Sequence, residues 1–207
     1  MGLKWIFFDV GTTLVNEEKA YNHRVYDMIK DVGITFDEFD KKRIELAQKG
    51  LDGNSAAIDF FCLKKTPWHS DDEILYQDTI DVLEYLISKG YKLGVIANQK
   101  KGLESRLEEF GILKYFNLVI ASEEVGVSKP EKEIFNIALS KAKCQPNECV
   151  MIGDRLDNDI IPAHLIGMVT IWIRQGLSKY QDKKMCINYV VDTLSELKSI
   201  FKEKVIK

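Results

Sequence analysis

The chain of 207 residues has little of what marks a specialised class. Its four cysteines, Cys62, Cys144, Cys149 and Cys186, are widely spaced and form no CxxC pair. Neither a zinc site nor a disulfide framework is indicated, and they read as reduced thiols. No basic run stands out beyond lysine pairs such as Lys100-Lys101 and Lys183-Lys184, and 29 Lys and Arg face 32 Asp and Glu for a formal charge of −3. A nucleic-acid partner is therefore not expected. No apolar run is long enough to span a membrane. The one in MGLKWIFFDVG is far too short, and no signal-peptide cleavage pattern follows it, so a soluble, cytoplasmic protein without a membrane partner is expected. Internal repeats and low-complexity segments are also missing. With 45% hydrophobic residues the chain has the makings of one ordinary domain, or one domain with a small insertion.

What is present is a series of short apolar runs: LKWIFFD at 3 to 9, YKLGVIAN at 91 to 98, FNLVIAS at 116 to 122, CVMIGD at 149 to 154, MVTIWI at 168 to 173 and NYVVD at 188 to 192. They are nearly continuous and rich in β-branched or aromatic residues, as strands covered on both faces should be. Helical patterns lie between them. DVLEYLISKG at 81 to 90 puts Val82, Leu83, Leu86 and Ile87 on one face, and EKEIFNIALSKAK at 131 to 143 does so with Ile134, Phe135, Ala138 and Leu139. This order predicts an α/β fold, a Rossmann-like parallel sheet with helices on both faces. The alternation fails once. Between residues 15 and about 78 no convincing strand is visible, and EEKAYNHRVYDMIKDVG, FDEFDKKRIELAQKG and NSAAIDFFCLKK each suggest an amphipathic helix. The expected organisation is a core of 1–15 and 79–207 with a small helical insertion at 16–78.

Ligands of an open parallel sheet bind outside the carboxyl ends of its strands. The first strand, FFDVGTTL in part, ends at Asp9; others end at Asn98 and Asp154, and Lys129 precedes Pro130 just before a helix. Each has a plain structural explanation. Asp9 can form a turn, Asn98 can cap, Lys129 can be a surface charge, and Asp154 with Asp157 and Asp159 can favour a helix N-terminus. Together they are harder to dismiss, because charges at buried strand ends need partners. Paired carboxylates and a lysine suit a magnesium ion and a phosphate, and an Asp can itself attack phosphorus.

In this order the motifs resemble those of the haloacid dehalogenase (HAD) superfamily of hydrolases over nearly the whole chain. The family's first motif is an Asp, one residue, a second Asp, then Thr or Val; Asp9, Gly11 and Thr13 stand in its places. The second motif falls on Ala97-Asn98 in GVIANQ, the third on Lys129 in SKPEKEIF, and the fourth, GDRLDND, gives Asp154 and Asp159. The resemblance implies a HAD-like core and a helical cap over the site. It makes Asp9 the nucleophile, and it has Asp9, Asp154 and the Gly11 carbonyl binding Mg2+. Lys129 would hold nucleophile and phosphate, with Asn98 at the phosphate; Asp159 and Thr13 would have supporting roles. Gly11 would also let the chain turn sharply beneath the nucleophile.

Two positions depart from the family. Gly11 stands where its phosphatases usually carry the acid/base Asp, and neither Thr12 nor Thr13 can replace an acid near neutral pH. Ala97 lacks the usual hydroxyl of the second motif. The leading expectation is a magnesium-dependent phosphoric monoester hydrolase acting on a small phosphorylated metabolite, limited to good leaving groups or drawing an acid from the cap. A degenerate phosphate-binding or regulatory protein with little turnover, or a 2-haloacid dehalogenase, are the alternatives. His23, Arg24 and Arg43 read as a solvated helix face of the insertion, Trp68 and His69 as a hinge or a packed loop, and His164 as structural.

Overall fold

Every second residue of a strand points to the same face, so a continuous apolar run must feed two cores at once. The first run does so in the computed structural model, which describes residues 2–182 and 187–202. Ile6 and Phe8 enter one buried cluster with Leu93, Val95, Val150 and Ile152. Trp5 and Phe7 enter another with Ile96, Ile120 and Met151. Cys186 and Lys183-Lys184 lie outside the described residues.

In chain order the elements begin with β1 (Trp5–Phe8), β2 (Val15–Asn16), α1 (Glu18–Ile29), α2 (Phe36–Gln48), α3 (Gly53–Phe60) and β3 (Ile74–Leu75). They continue with α4 (Thr79–Ser88), β4 (Lys92–Ala97), α5 (Leu103–Glu109), β5 (Leu118–Ala121), α6 (Ser122–Val125) and α7 (Lys132–Ala142). The last are β6 (Cys149–Gly153), a π-helical turn at Leu156–Ile160, α8 (Ile161–Leu165), β7 (Val169–Ile173), β8 (Tyr189–Val191) and α9 (Leu197–Lys202). Six strands form one sheet in the order β5-β4-β1-β6-β7-β8, with every pairing parallel. Val82, Leu83 and Leu86 of α4 and Leu197 and Phe201 of α9 pack on the first face, and Ile134, Phe135 and Ala138 of α7 on the other. The α/β architecture is that expected from the sequence. Because the chain leaves β1 for β4 and β5 on one side and returns to β6 on the other, β1 lies beside the point where strand order reverses, and a crevice opens there at the carboxyl ends.

Residues 16–78 carry α1, α2 and α3, which share a small hydrophobic cluster of their own: Val25, Met28, Ile29, Phe39, Ala57 and Ile58. Thr35 caps α2 through a reciprocal bond with Glu38, and Asp52 caps α3 through the Ser55 N–H. The expectation of no strand here fails at both edges. Val15–Asn16 and Ile74–Leu75 pair antiparallel and close the insertion at its base. Two residues are too few to show a period of two, so the pairing leaves no sequence pattern.

Candidate active site

Asp9, Asn98 and Asp154 each follow the last residue of β1, β4 and β6, three strands adjacent in the sheet. Backbone geometry alone therefore sets them side by side. The loop carrying Lys129 is tied to the tip of β4: Asn98 Nδ2 donates to the Lys129 carbonyl at 2.8 Å, and the Lys129 N–H donates to Asn98 Oδ1 at 2.7 Å. That clamp aims the ammonium at Asp9 Oδ1, 2.5 Å away, and Asp159 Oδ1, 2.7 Å away. Lys129 and Asp159 are almost wholly buried, with 2% and 1% of their side chains exposed. Asp159 reaches inward from the π-helical turn, where its other oxygen accepts the Arg155 N–H at 3.0 Å. Gly153 allows this approach, because a β-carbon there would collide with the Asp159 carboxylate. The backbone carbonyl of Asp154 accepts the Trp172 indole N–H at 2.8 Å, fixing the tip of β6.

Carboxylate oxygens of Asp9, Asp154 and Asp159 all lie within 4.8 Å of one another, with one ammonium among them. Burial, then the charges of Asp159 and Asp9, push the Asp154 carboxyl well above its ordinary range. Burial raises Asp159 as well, against the lowering effect of Lys129. Burial works to lower the Lys129 pKa, but Asp159 and Asp9 outweigh it and leave the ammonium firmly charged. The cluster thus carries surplus negative charge on hard oxygen atoms, the donor set a divalent cation such as Mg2+ requires. Carboxylate oxygens of Asp9 and Asp154 fit that ion, and Gly11 lines the same cavity.

The site opens into a cavity of about 950 Å3, lined on the sheet side by Asp9, Lys129 and Asp154 and on the helical side by Tyr21, Arg24 and Arg43. The expected solvated face is therefore only partly right. His23 is half exposed and pairs with Asp72, but Arg24 and Arg43 turn into the cavity, because the stem folds α1 and α2 over the strand tips. Arg43 is held by Asp40 at 2.6 Å. The Arg24 Nε is buried and has no hydrogen-bond partner among the described residues. Trp68 and His69 form a packed loop: the indole donates to Glu73 at 2.6 Å and meets Tyr21 edge-on, while His69 bonds Asp27 and stacks on His23. His164, exposed near the end of α8, does not line the cavity.

Three other expectations need adjustment. Asn98, expected at the phosphate, spends both ends of its amide on the Lys129 backbone. Thr13 is fully buried, its Oγ1 has no hydrogen-bond partner among the described residues, and it does not line the cavity. Gly11 does not supply the left-handed residue of the turn, which is Thr12 at φ 60°. A β-carbon on Gly11 would lie 2.5 Å from Oε1 and 2.7 Å from Cδ and Oε2 of Glu17, so another residue here would have to displace that carboxylate. Glu17 was invisible as a site residue in the sequence, where it reads as one of two acids opening a helix. It occupies the N-cap position of α1 yet makes no capping bond. Its carboxylate turns instead into the cavity with 15% of the side chain exposed. Burial pushes its pKa up to about 7, with Arg106 opposing and Glu73 and Asp9 adding to the rise.

The family model described as haloacid dehalogenase-like hydrolase matches residues 6–173. A glyceraldehyde 3-phosphate phosphatase from Methanocaldococcus jannaschii is 38% identical over 131 residues, 61% of this chain, and the match spans only about half, 56%, of that relative's length. A pyrimidine 5′-nucleotidase from Escherichia coli is 28% identical over 95% of this chain and 96% of its own. A crystal structure of a HAD phosphatase from Thermococcus onnurineus superposes with a TM-score of 0.66 at 30% identity, covering 96% of this chain and 97% of that one.

Proposed function

We propose, since the chain belongs to the haloacid dehalogenase-like hydrolase family, that it is a magnesium-dependent phosphohydrolase of a small phosphorylated metabolite, working through an aspartyl phosphate on Asp9. The observation that carries this reading is the Lys129 ammonium held between Asp9 and Asp159 with the Asp154 carboxylate beside them. Lys129 engages Asp9 Oδ1, which leaves Oδ2 to attack phosphorus as the ester oxygen departs. Water then attacks the same phosphorus, releasing phosphate and restoring the Asp9 carboxylate. Throughout, the ammonium offsets charge on the phosphoryl oxygens, and its position depends on Asp159 and on the Asn98 clamp. When bound by Asp9, Asp154 and the Gly11 carbonyl, Mg2+ supplies further neutralisation of those oxygens. In this reading residues 16–78 are the cap, and Arg24 and Arg43 meet the substrate beyond its phosphate. A 2-haloacid dehalogenase is disfavoured by Asp154, a buried carboxyl beside Asp9 that attack on carbon does not use.

A panel of phosphorylated metabolites assayed with and without Mg2+ tests the reading. Magnesium-dependent phosphate release from at least one is expected, and release from none would overturn it. Asp154→Asn should raise the Mg2+ concentration for half-maximal rate at least about tenfold, the low end of what loss of even an outer-shell partner costs. An unchanged magnesium titration would put the metal elsewhere. Arg24→Ala should raise KM about tenfold with kcat nearly kept, the signature of lost uniform binding. A fall in kcat at constant KM would contradict the cap assignment of that side chain.

A further inference from the structure

Position 11 lacks a side chain, but the volume beside it is filled. The Glu17 carboxylate lies 2.5 to 2.7 Å from the place a β-carbon on residue 11 would take, beside the second residue after Asp9 and lining the same cavity. Glu17 stands at the N-cap position of α1 but makes no bond to the helix N–H groups. Among the described residues its side-chain hydrogen-bond partner is a distant one, Arg106 Nη2 at 3.3 Å from Oε1. The same guanidinium is committed more closely to Glu73, at 2.7 Å through Nη2 and 3.1 Å through Nε. Arg106 thus orients Glu17 without neutralising it outright, and Glu17 lines the cavity.

We propose that Glu17 is the catalytic acid and base of this enzyme, reaching from the start of α1 into the space that a glycine at 11 leaves open. The assignment rests on the phosphatase reading above and supplies the proton transfer that the reading lacks. In the first half-reaction the Asp9–phosphorus bond forms, the bond from phosphorus to the ester oxygen breaks, and the Glu17 carboxyl proton passes to that oxygen. In the second, Glu17 carboxylate takes a proton from the water attacking the aspartyl phosphate. Phosphate leaves, and Asp9 carboxylate and protonated Glu17 are restored. Glycine at 11 and glutamate at 17 are then two halves of one substitution, and Arg106 is a positioning residue.

Four proteins test this: wild type, Glu17→Ala, Gly11→Asp, and the double variant G11D/E17A. Each is assayed at saturating Mg2+ on 2,4-dinitrophenyl phosphate, whose leaving group needs no proton, and on an alkyl phosphate, whose leaving group does. Thermal melts run in parallel. Glu17→Ala should lose about 10² to 10⁴-fold in the first-turnover rate of leaving-group release from the alkyl ester and less than about tenfold from the aryl ester, while steady-state turnover of both falls because the base that clears the aspartyl phosphate is gone. Gly11→Asp alone should melt lower than wild type and lose activity on both esters, since two carboxylates then compete for one volume. The backbone at 11 is not left-handed, so with Glu17 removed the new Asp fits. The double variant should recover both melting temperature and alkyl-ester turnover relative to its parents. Glu17→Gln, equal in size, should repeat the selective loss without disturbing packing. Equal losses of first-turnover release from both esters, or no loss, with no recovery in the double variant, would overturn the role of Glu17 while leaving the phosphatase intact. A wild type that turns over neither ester nor any phosphorylated metabolite would instead overturn the phosphatase reading itself.

Discussion

Asp9→Asn should reduce phosphate release to below about one part in 10⁴ of wild type, the scale on which loss of a nucleophile registers. An amide oxygen does not form the acyl phosphate. The fold should survive. Asn is nearly equal in volume, and its carbonyl still accepts from the Lys129 ammonium now bonded to Asp9 Oδ1, so the stability change should stay within about 1–2 kcal/mol. Rate and denaturation measurements on the same preparation separate the two effects. Turnover above about one per cent of wild type would exclude Asp9 as the nucleophile.

The second large effect is expected at Lys129. Its ammonium is the cation bonded to two of three clustered carboxylates, and removing one member of a buried ionic cluster costs about 3–5 kcal/mol because the remaining charges lose their compensation. Lys129→Met, which keeps the volume of the stem, should therefore destabilise the metal-free protein by that amount and abolish turnover. The loss should also depend on pH in a definite direction. Asp154 and Asp159 have raised carboxyl pKa values in the folded state, chiefly from burial. Between the unfolded carboxylate range and these raised values, the folded protein holds protons that the unfolded chain has released, so stability falls as pH rises. Without Lys129 the carboxyls rise further and the fall steepens. Urea unfolding in a metal chelator at about pH 5 and about pH 8 should show the variant's deficit shrinking at the lower pH. A deficit independent of pH would mean that Lys129 acts through packing rather than charge.

The sheet was legible in the sequence because a strand buried on both faces leaves a run of five or six apolar residues, and such a run has few other uses. Asp9, Asn98 and Asp154 were legible for the same reason: each is the first polar residue after a run, and parallel pairing puts all three at one edge. Where side chains point was less readable. Asn98 was placed correctly but grips the Lys129 backbone, a role that follows only once the two loops are side by side. Arg24 and Arg43 share helices with many charged neighbours, and nothing local distinguishes the turn facing a cavity from the turn facing water. The short pairing of Val15–Asn16 with Ile74–Leu75, which brings them over the cavity, spans almost sixty residues and has no pattern of its own. Glu17 was the hardest to see. Its significance depends on an absence six residues earlier, and only the folded chain brings the two positions together.

Trapping the phosphorylated enzyme bears on the mechanism most directly. Wild-type protein turning over its best substrate is quenched in acid and treated with borohydride, which reduces an aspartyl phosphate to homoserine, and the peptide containing residues 5–9 is sequenced by mass spectrometry. Homoserine at position 9, absent from Asp9→Asn and more abundant in Glu17→Gln supplied with an aryl phosphate, is expected, since that variant forms the intermediate freely but lacks the base that clears it. Steady phosphate release with an unmodified Asp9, or with homoserine at any other position, would contradict the mechanism.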